Sequence, residues 1–462
     1  MYFSVLNIGN WVFIALLCFS ALLLIYKIFY HIYALMPAQK FPEAKTNHKF
    51  AILVPARNES KVINGLLKSF SECDYPKELY DIYVVVETLD DPTIEICKNY
   101  ENVYSFVRPD LNVKSKGGAL DHILKHLLNN GIAQEKGYEA YFIFDADNIV
   151  TKNYLTEMNK TFDAGYELAL SYRNSKNWNQ GWVASCSALT FSMINTFQNK
   201  CRARFTQNVL VSGTGFYISA RVINELNGWP FQCLTEDAEI SNYAVLNGIK
   251  ATYNEFAIHY DEQPVKLKVS WNQRIRWVKG YMQVGKKYTT KLFKSALYNK
   301  ENRFAKLEFA INIIPVAVPL ASVIIYAFFA LVMGFVGLGI HAPASQWQMA
   351  FINFGASIFG MYLFFFFYAM TMLLAERKHI DITFKNAVKT CIMNPFYMGL
   401  YIPIFFAAIF KKEVKWKPIE HTVNTEINEE QYNKSIVEAV ITDKPNNEDV
   451  AKQLNAEFIK KD

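Results

Sequence analysis

Tyr141-Phe142-Ile143-Phe144-Asp145-Ala146-Asp147 is the stretch on which the fold turns. Four apolar residues, aromatic or β-branched, are too few for a helix. Their apolar character is continuous rather than alternating, which fits a strand covered on both faces. The run stops at two carboxylates one residue apart. At the mouth of a buried strand both can offer oxygen to one hard cation, and Mg²⁺ or Mn²⁺ held this way typically also takes substrate phosphates. Asp-x-Asp by itself is also common in solvated turns, so the strand in front of it carries the weight.

Working outward, two earlier runs share this grammar. Phe50-Ala51-Ile52-Leu53-Val54 stops at Pro55, and Asp81-Ile82-Tyr83-Val84-Val85-Val86 stops at an acidic cluster of Glu87, Asp90 and Asp91. Amphipathic stretches at 61–69 and 118–129 read as helices between them. Buried strands separated by helices make an α/β domain with a mostly parallel sheet. Ligands of such sheets bind beyond the carboxyl ends of the strands, which is where these acidic clusters fall.

Three more motifs could carry chemistry. Lys116-Gly117-Gly118 opens a helix; glycines let backbone approach a ligand, and a helix N-terminus suits a diphosphate. Walker A spacing is absent, and an ordinary loop before a helix is the plain alternative. Thr235-Glu236-Asp237 follows a Gly228-Trp229-Pro230 turn and offers a carboxylate as general base, although Thr-Glu-Asp is equally a helix start. Gln273-Arg274-Ile275-Arg276-Trp277, with Trp271 and Lys279, suits an amphipathic helix at lipid headgroups. The same groups can bind pyrophosphate through arginine and stack an indole on a sugar. His122, His126 and His259 show no metal-ligand spacing, and no Gly-x-Ser-x-Gly or Cys/His pairing marks a covalent nucleophile.

The 462 residues are 52% hydrophobic and 15% aromatic, and the net charge is +6. No basic stripe interleaved with aromatics points to nucleic acid. Seven scattered cysteines without a CxxC pair argue against a zinc site or a disulfide framework and suit a reducing compartment. Apolar runs at 11–30, 309–340 and 349–374 are long enough to cross a bilayer, and 387–410 is weaker. The first lacks the basic start and cleavage site of a signal peptide. Lysines follow it but do not precede it, which places the next residues in the cytosol. A full crossing by 387–410 would put Lys411, Lys412, Lys415 and Lys417 outside, so a re-entrant or interfacial element, broken at Pro395 and Pro403, is expected, with a full crossing as the alternative. The organisation is then a transmembrane helix within 1–36, a cytosolic domain at 37–300 ending in an interfacial helix, transmembrane and interfacial helices at 301–411, and a polar tail at 412–462.

In order, Asn58-Glu59, Lys116-Gly117-Gly118-Ala119, Asp145-Ala146-Asp147, Gly213-Thr214-Gly215, Thr235-Glu236-Asp237 and Gln273-x-x-Arg276-Trp277 resemble the processive membrane branch of glycosyltransferase family 2. That branch includes cellulose, hyaluronan, chitin and poly-N-acetylglucosamine synthases. Asp261-Glu262-Gln263-Pro264 is also similar to it. The resemblance spans about residues 50–410. It implies a GT-A fold in the plasma membrane and inverting, metal-dependent transfer from a UDP-sugar, UDP-N-acetylglucosamine or UDP-glucose, to a glycan. It implies that Ala56, Glu59 and Lys116 line the uridine site and that Asp145 and Asp147 hold Mg²⁺ or Mn²⁺ against the diphosphate. Asp237, beside Glu236, would be the base, with Gln273, Arg276 and Trp277 near the pyrophosphate and acceptor. Where the family usually has an aspartate after the second strand, Glu87 stands here. An accessory membrane subunit or a homo-oligomer is compatible with this reading. Two rivals remain in view: single transfer to a membrane lipid, decided by product size, and an inactive nucleotide-binding scaffold, opposed by the joint presence of Asp145, Asp147, Asp237, Arg276 and Trp277.

Overall fold

A computed structural model describes residues 2–109, 115–312 and 314–411; the expected polar tail lies outside the described residues. Eight strands form one sheet in the order β3-β2-β1-β4-β7-β6-β8-β5. They are β1 (Phe50–Pro55), β2 (Tyr80–Val86), β3 (Val103–Val107), β4 (Ala140–Ile143), β5 (Ile149–Val150), β6 (Leu168–Ser175), β7 (Phe216–Ser219) and β8 (Ala251–Asp261). The half built from β3, β2, β1 and β4 is parallel throughout. In the other half β7 runs antiparallel to both β4 and β6, while β6 and β8 are parallel.

That reversal positions the site. Because β7 is antiparallel to both neighbours, β6 runs in the same direction as β4. The carboxyl ends of β1, β2, β4, β6 and β8, and the amino end of β7, therefore share one edge of the sheet.

The sheet is buried on both faces, as its continuous apolar strands require. Along β1, Phe50, Ile52 and Val54 enter one core and Ala51 and Leu53 the other. This is the two-residue alternation of a strand. The helices Ile63–Ser71 and Tyr154–Asp163 cover the first core, and Lys116–Asn129 and Glu236–Asn247 the second.

Four helical segments are long and apolar enough to cross a membrane: Tyr2–Leu22, Pro319–Gly339, Ala344–Glu376 and Phe384–Phe410. The first belongs to a longer helix, Tyr2–Ala34. Lys27 ties that helix to Glu308 at 3.3 Å, and Arg202 holds the same carboxylate with bonds of 3.0 and 2.7 Å. The expected break at Pro395 is not there. The helix Phe384–Gly399 runs through it, and the chain breaks at Leu400 before a second helix, Tyr401–Phe410. Pro403 sits in the first turn of that second helix, where its missing N–H has no intrahelical partner to lose.

The helix Leu267–Tyr298 carries the Gln273 to Trp277 motif and no acidic residue. Its first half packs Ile275 against Ile404 and Ala408, and Lys279 donates to the Ala408 carbonyl at 3.1 Å. Arg274 is fully buried, donates to the Tyr397 carbonyl at 2.8 Å and lies 4.0 Å from the Tyr397 ring centroid. Two basic side chains of one helix thus meet the C-terminal carbonyls of the two halves of the last apolar segment, where positive charge is favoured.

Candidate active site

The parallel half brings five of the expected groups, Ala56, Glu59, Glu87, Asp145 and Asp147, to the edge. Ala56 follows β1, and its N–H bonds the Val85 carbonyl at 2.8 Å. Beyond it Asn58 takes a left-handed conformation, φ 56°, and its N–H bonds Asp91 at 2.9 Å. Asp91 also accepts from the Thr93 N–H at 2.9 Å, so this buried acid shapes the loop. Glu59 stands half-buried on the same loop, its N–H on the Thr93 hydroxyl at 3.2 Å. Glu87, at the end of β2, is gripped by Arg57 at 2.9 Å and approached by Arg108 at 3.8 Å.

Asp145 and Asp147 leave β4 half-buried. Asp145 pairs with Lys116, and its N–H bonds the Thr214 hydroxyl at 3.0 Å. Asp147 accepts from Asn148 at 3.1 Å. Lys176 donates to the Asp147 carbonyl at 2.6 Å. Among the described residues, no three His, Cys, Asp or Glu side chains gather to hold a metal. Two carboxylates fit Mg²⁺ or Mn²⁺ nonetheless, because these ions take one or two carboxylates with substrate phosphates and water completing the shell. The ammonium of Lys116 on Asp145 shows that this edge already accepts a cation.

The first glycine of Lys116-Gly117-Gly118 has a different use from the one its sequence suggests. A Cβ on Gly117 would lie 2.4 Å from the Phe231 carbonyl oxygen, so Gly117 lets the helix pack against the segment after the Gly228-Trp229-Pro230 turn. Ser115 already caps this helix by accepting from the Gly118 N–H at 3.0 Å.

The mixed half supplies the remaining groups. Thr235 stands at the N-cap of the helix Glu236–Asn247, but its side chain makes no capping bond. The helix-start reading is met by this segment, which places Glu236 and Asp237 in the first turn. Asp237 accepts the Ala238 N–H on Oδ1 at 2.8 Å, leaving Oδ2 turned toward Gly213. Burial raises the pKa of both acids, and the charge of Asp237 raises that of Glu236 further. Lys116 and Arg276 oppose both shifts. Gly213 stands between the two sets of groups: its carbonyl accepts from Lys116 at 2.7 Å.

Arg276 donates to the Leu234 carbonyl at 3.1 Å, beside the Thr235-Glu236-Asp237 segment. Trp277 meets the edge of Phe191, ring centroids 5.6 Å apart. Gln273 is half-buried on the same helix and its Oε1 has no protein partner. The close approach of this helix depends on Gly280, where a Cβ would fall 2.5 Å from Thr235.

One residue at this edge escaped the motif reading. Arg173, near the end of β6, bonds Asp261 through Nε at 2.7 Å and lies 3.5 Å above the Phe191 ring. Its place in a strand amid Tyr172 and Asn174 gives no catalytic spacing. Only its charge at a strand end would have flagged it.

The profile described as "Glycosyltransferase like family 2" matches residues 48–280, half of the chain. The chain belongs to this family. The sheet and its helices are thus a GT-A fold, and the protein is a family 2 glycosyltransferase. The curated relative "Probable glycosyltransferase YdaM" of Bacillus subtilis is 24% identical over 402 residues, covering 80% of this glycosyltransferase and 86% of that protein. The "Beta-monoglucosyldiacylglycerol synthase" of Nostoc sp. is 24% identical over 243 residues, 50% of this chain and 49% of its own length. Among solved structures, the mannosyltransferase PcManGT from Pyrobaculum calidifontis in complex with GDP-Man and Mn²⁺ aligns at 14% identity with a TM-score of 0.47, covering 77% of this chain and 97% of that one.

Proposed function

We propose that this glycosyltransferase moves a hexosyl unit from a UDP-sugar to a growing β-linked polysaccharide, with inversion, at the cytosolic face of the plasma membrane. The observation that carries the reading is Gly213, which takes Lys116 on its carbonyl and faces Asp237 Oδ2 across its α-carbon. A lysine suited to a diphosphate and a half-buried acid suited to a hydroxyl thus stand on either side of one residue.

The chemistry follows from the groups. The acceptor hydroxyl attacks the anomeric carbon, the bond from that carbon to the diphosphate oxygen breaks, and Asp237 Oδ2 takes the hydroxyl proton. A base so placed contributes roughly 10²- to 10⁴-fold. Lys116 and Arg276 face the charge that develops on the leaving diphosphate, where fixed cations are most effective. Asp145 and Asp147 would hold Mg²⁺ or Mn²⁺, which supplies Lewis-acid stabilisation of that leaving group. Ala56 and Glu59 border the nucleoside. Gln273 and Trp277 border the acceptor.

Single transfer to a membrane lipid is the second reading. It is favoured by the diacylglycerol-directed name of a relative that matches half of this chain. The test is to incubate the full-length protein in detergent with radiolabelled UDP-sugars and Mg²⁺ or Mn²⁺. Label in a large aqueous product supports the polymer; label confined to the organic extract moves the acceptor to lipid.

A further inference from the structure

Arg173 touches three elements that the chain brings together from distant positions. On β8, Asp261 Oδ2 accepts its Nε at 2.7 Å, and a second guanidinium nitrogen bonds the same oxygen. Before β7, the Ser212 carbonyl accepts a third N–H, one residue from Gly213. On the helix Trp182–Ile194, the Phe191 ring lies beneath the guanidinium carbon, its centroid 3.5 Å away. The backbone of Arg173 is fixed as well, because Asn195 donates to its carbonyl at 2.9 Å.

These contacts close on themselves. Asp261 Oδ2 also accepts from Gln263 at 2.6 Å, and Gln263 Oε1 accepts from Ser187 at 2.6 Å. Ser187 and Phe191 are four residues apart on one helix and so share a face. The circuit runs Arg173, Asp261, Gln263, Ser187, Phe191 and back to Arg173. Phe191 then meets Trp277 edge-on, at 83° between ring planes.

We propose that Arg173 is a positioning residue for the acceptor: through Phe191 it sets the tilt of the Trp277 indole, and through Ser212 it fixes the wall that faces Asp237. This rests on the functional reading above. A planar fork is needed, because lysine can neither bond Asp261 and Ser212 together in one plane nor lie flat on a ring. Asp237 is faced by Glu236 beside it, by Lys116, Arg276 and Arg173, and by Tyr281. Of the three cations, Lys116 pairs with Asp145, whereas Arg276 holds the Leu234 carbonyl and Arg173 the Ser212 carbonyl.

The test compares R173K, R173M and F191L in the full-length protein, reading UDP affinity, acceptor KM, kcat and the pH profile. In both Arg173 variants acceptor KM is expected to rise about tenfold or more while UDP affinity holds, the scale of losing one charge-assisted network. In R173M, and not in R173K, the acid limb moves to higher pH, because the charge that favours ionised Asp237 is gone. F191L raises acceptor KM without moving the limb, and keeps the proposal open to refutation if R173M does not fold. An R173K protein identical to wild type, or losses of UDP affinity and acceptor KM in step, overturns the proposal. A wild-type protein that transfers no sugar from any donor overturns the functional reading, and this assignment falls with it.

Discussion

The two halves of the sheet build their parts of the site in opposite ways. In the parallel half the proposed groups directly follow strand ends: Ala56 and Glu59 after β1, Glu87 after β2, Asp145 and Asp147 after β4. Placement is automatic, since parallel strands deliver their carboxyl ends to one edge. In the mixed half the groups come from a helix start, a loop and a long helix, and side-chain contacts must align them. Asp237 faces a loop glycine, Trp277 leans on Phe191, and Phe191 lies under Arg173. The parallel half is organised by backbone, the mixed half by packing. The two should therefore fail differently when cut.

The largest effect is expected at the proposed base. Asp237→Asn should lower kcat by about 10²- to 10⁴-fold and leave UDP binding intact. Retained turnover would remove Asp237 from its role and dissolve the contrast. Next, Asp145→Asn with Asp147→Asn should weaken UDP-sugar binding and abolish its response to Mg²⁺ or Mn²⁺, read by calorimetry with and without the ion. If UDP binding is unchanged by metal in both the wild type and the variant, the parallel half does not hold a cation.

The halves also differ in how openly the sequence declares them. The strands at 50–54, 81–86 and 141–144 and the pair Asp145 and Asp147 are local features, written in apolar runs with sharp ends. Mixed-half geometry depends on contacts between residues far apart in the chain. β6 and β8 pair with residues 255–257 of β8 looped out, a register that no run of apolar residues announces. β5 is two residues long. Gly117 looked like a ligand-facing glycine and proves to be a packing one, because its neighbour Phe231 lies more than a hundred positions away. Arg173 carries no motif at all, since its partners come from residues 191, 212 and 261.

Two glycines test the packing claim directly. Gly215 has φ +67°, and a Cβ there would sit 2.1 Å from an atom of the His259 ring. Gly215→Ala combines backbone strain with overpacking and should cost about 1–3 kcal/mol or more. Gly280→Ala drives a methyl against the side chain and backbone of Thr235. It should push the Leu267–Tyr298 helix off the Glu236–Asp237 segment and lower kcat by roughly tenfold, an estimate from a slight misplacement of reacting groups. UDP affinity that falls along with kcat would show the halves to be one rigid unit.

The smallest effect concerns the acid pair itself. Burial raises both pKa values, and Glu236 also feels the charge of Asp237. A carboxyl with a raised folded-state pKa adds nothing below the ordinary range, where both states are protonated. Its penalty builds as pH rises from the ordinary value to the folded one and is complete above it, because over that range the folded state resists ionisation that the unfolded chain accepts. Asp237→Asn removes one of the two charges. Its melting temperature should therefore exceed that of wild type at pH 7–8, by about 2–4 °C if the relief is on the order of 1 kcal/mol, and the gap should close below about pH 4. The same shift has a kinetic face, since a base must be ionised: wild-type kcat/KM should fall on acidification at a pH above the usual aspartate value of about 3.9. A gap independent of pH would mean that the gain comes from shape rather than charge. The mixed half would then be held by packing down to its proposed base, with electrostatics confined to the edge where Lys116 meets Asp145.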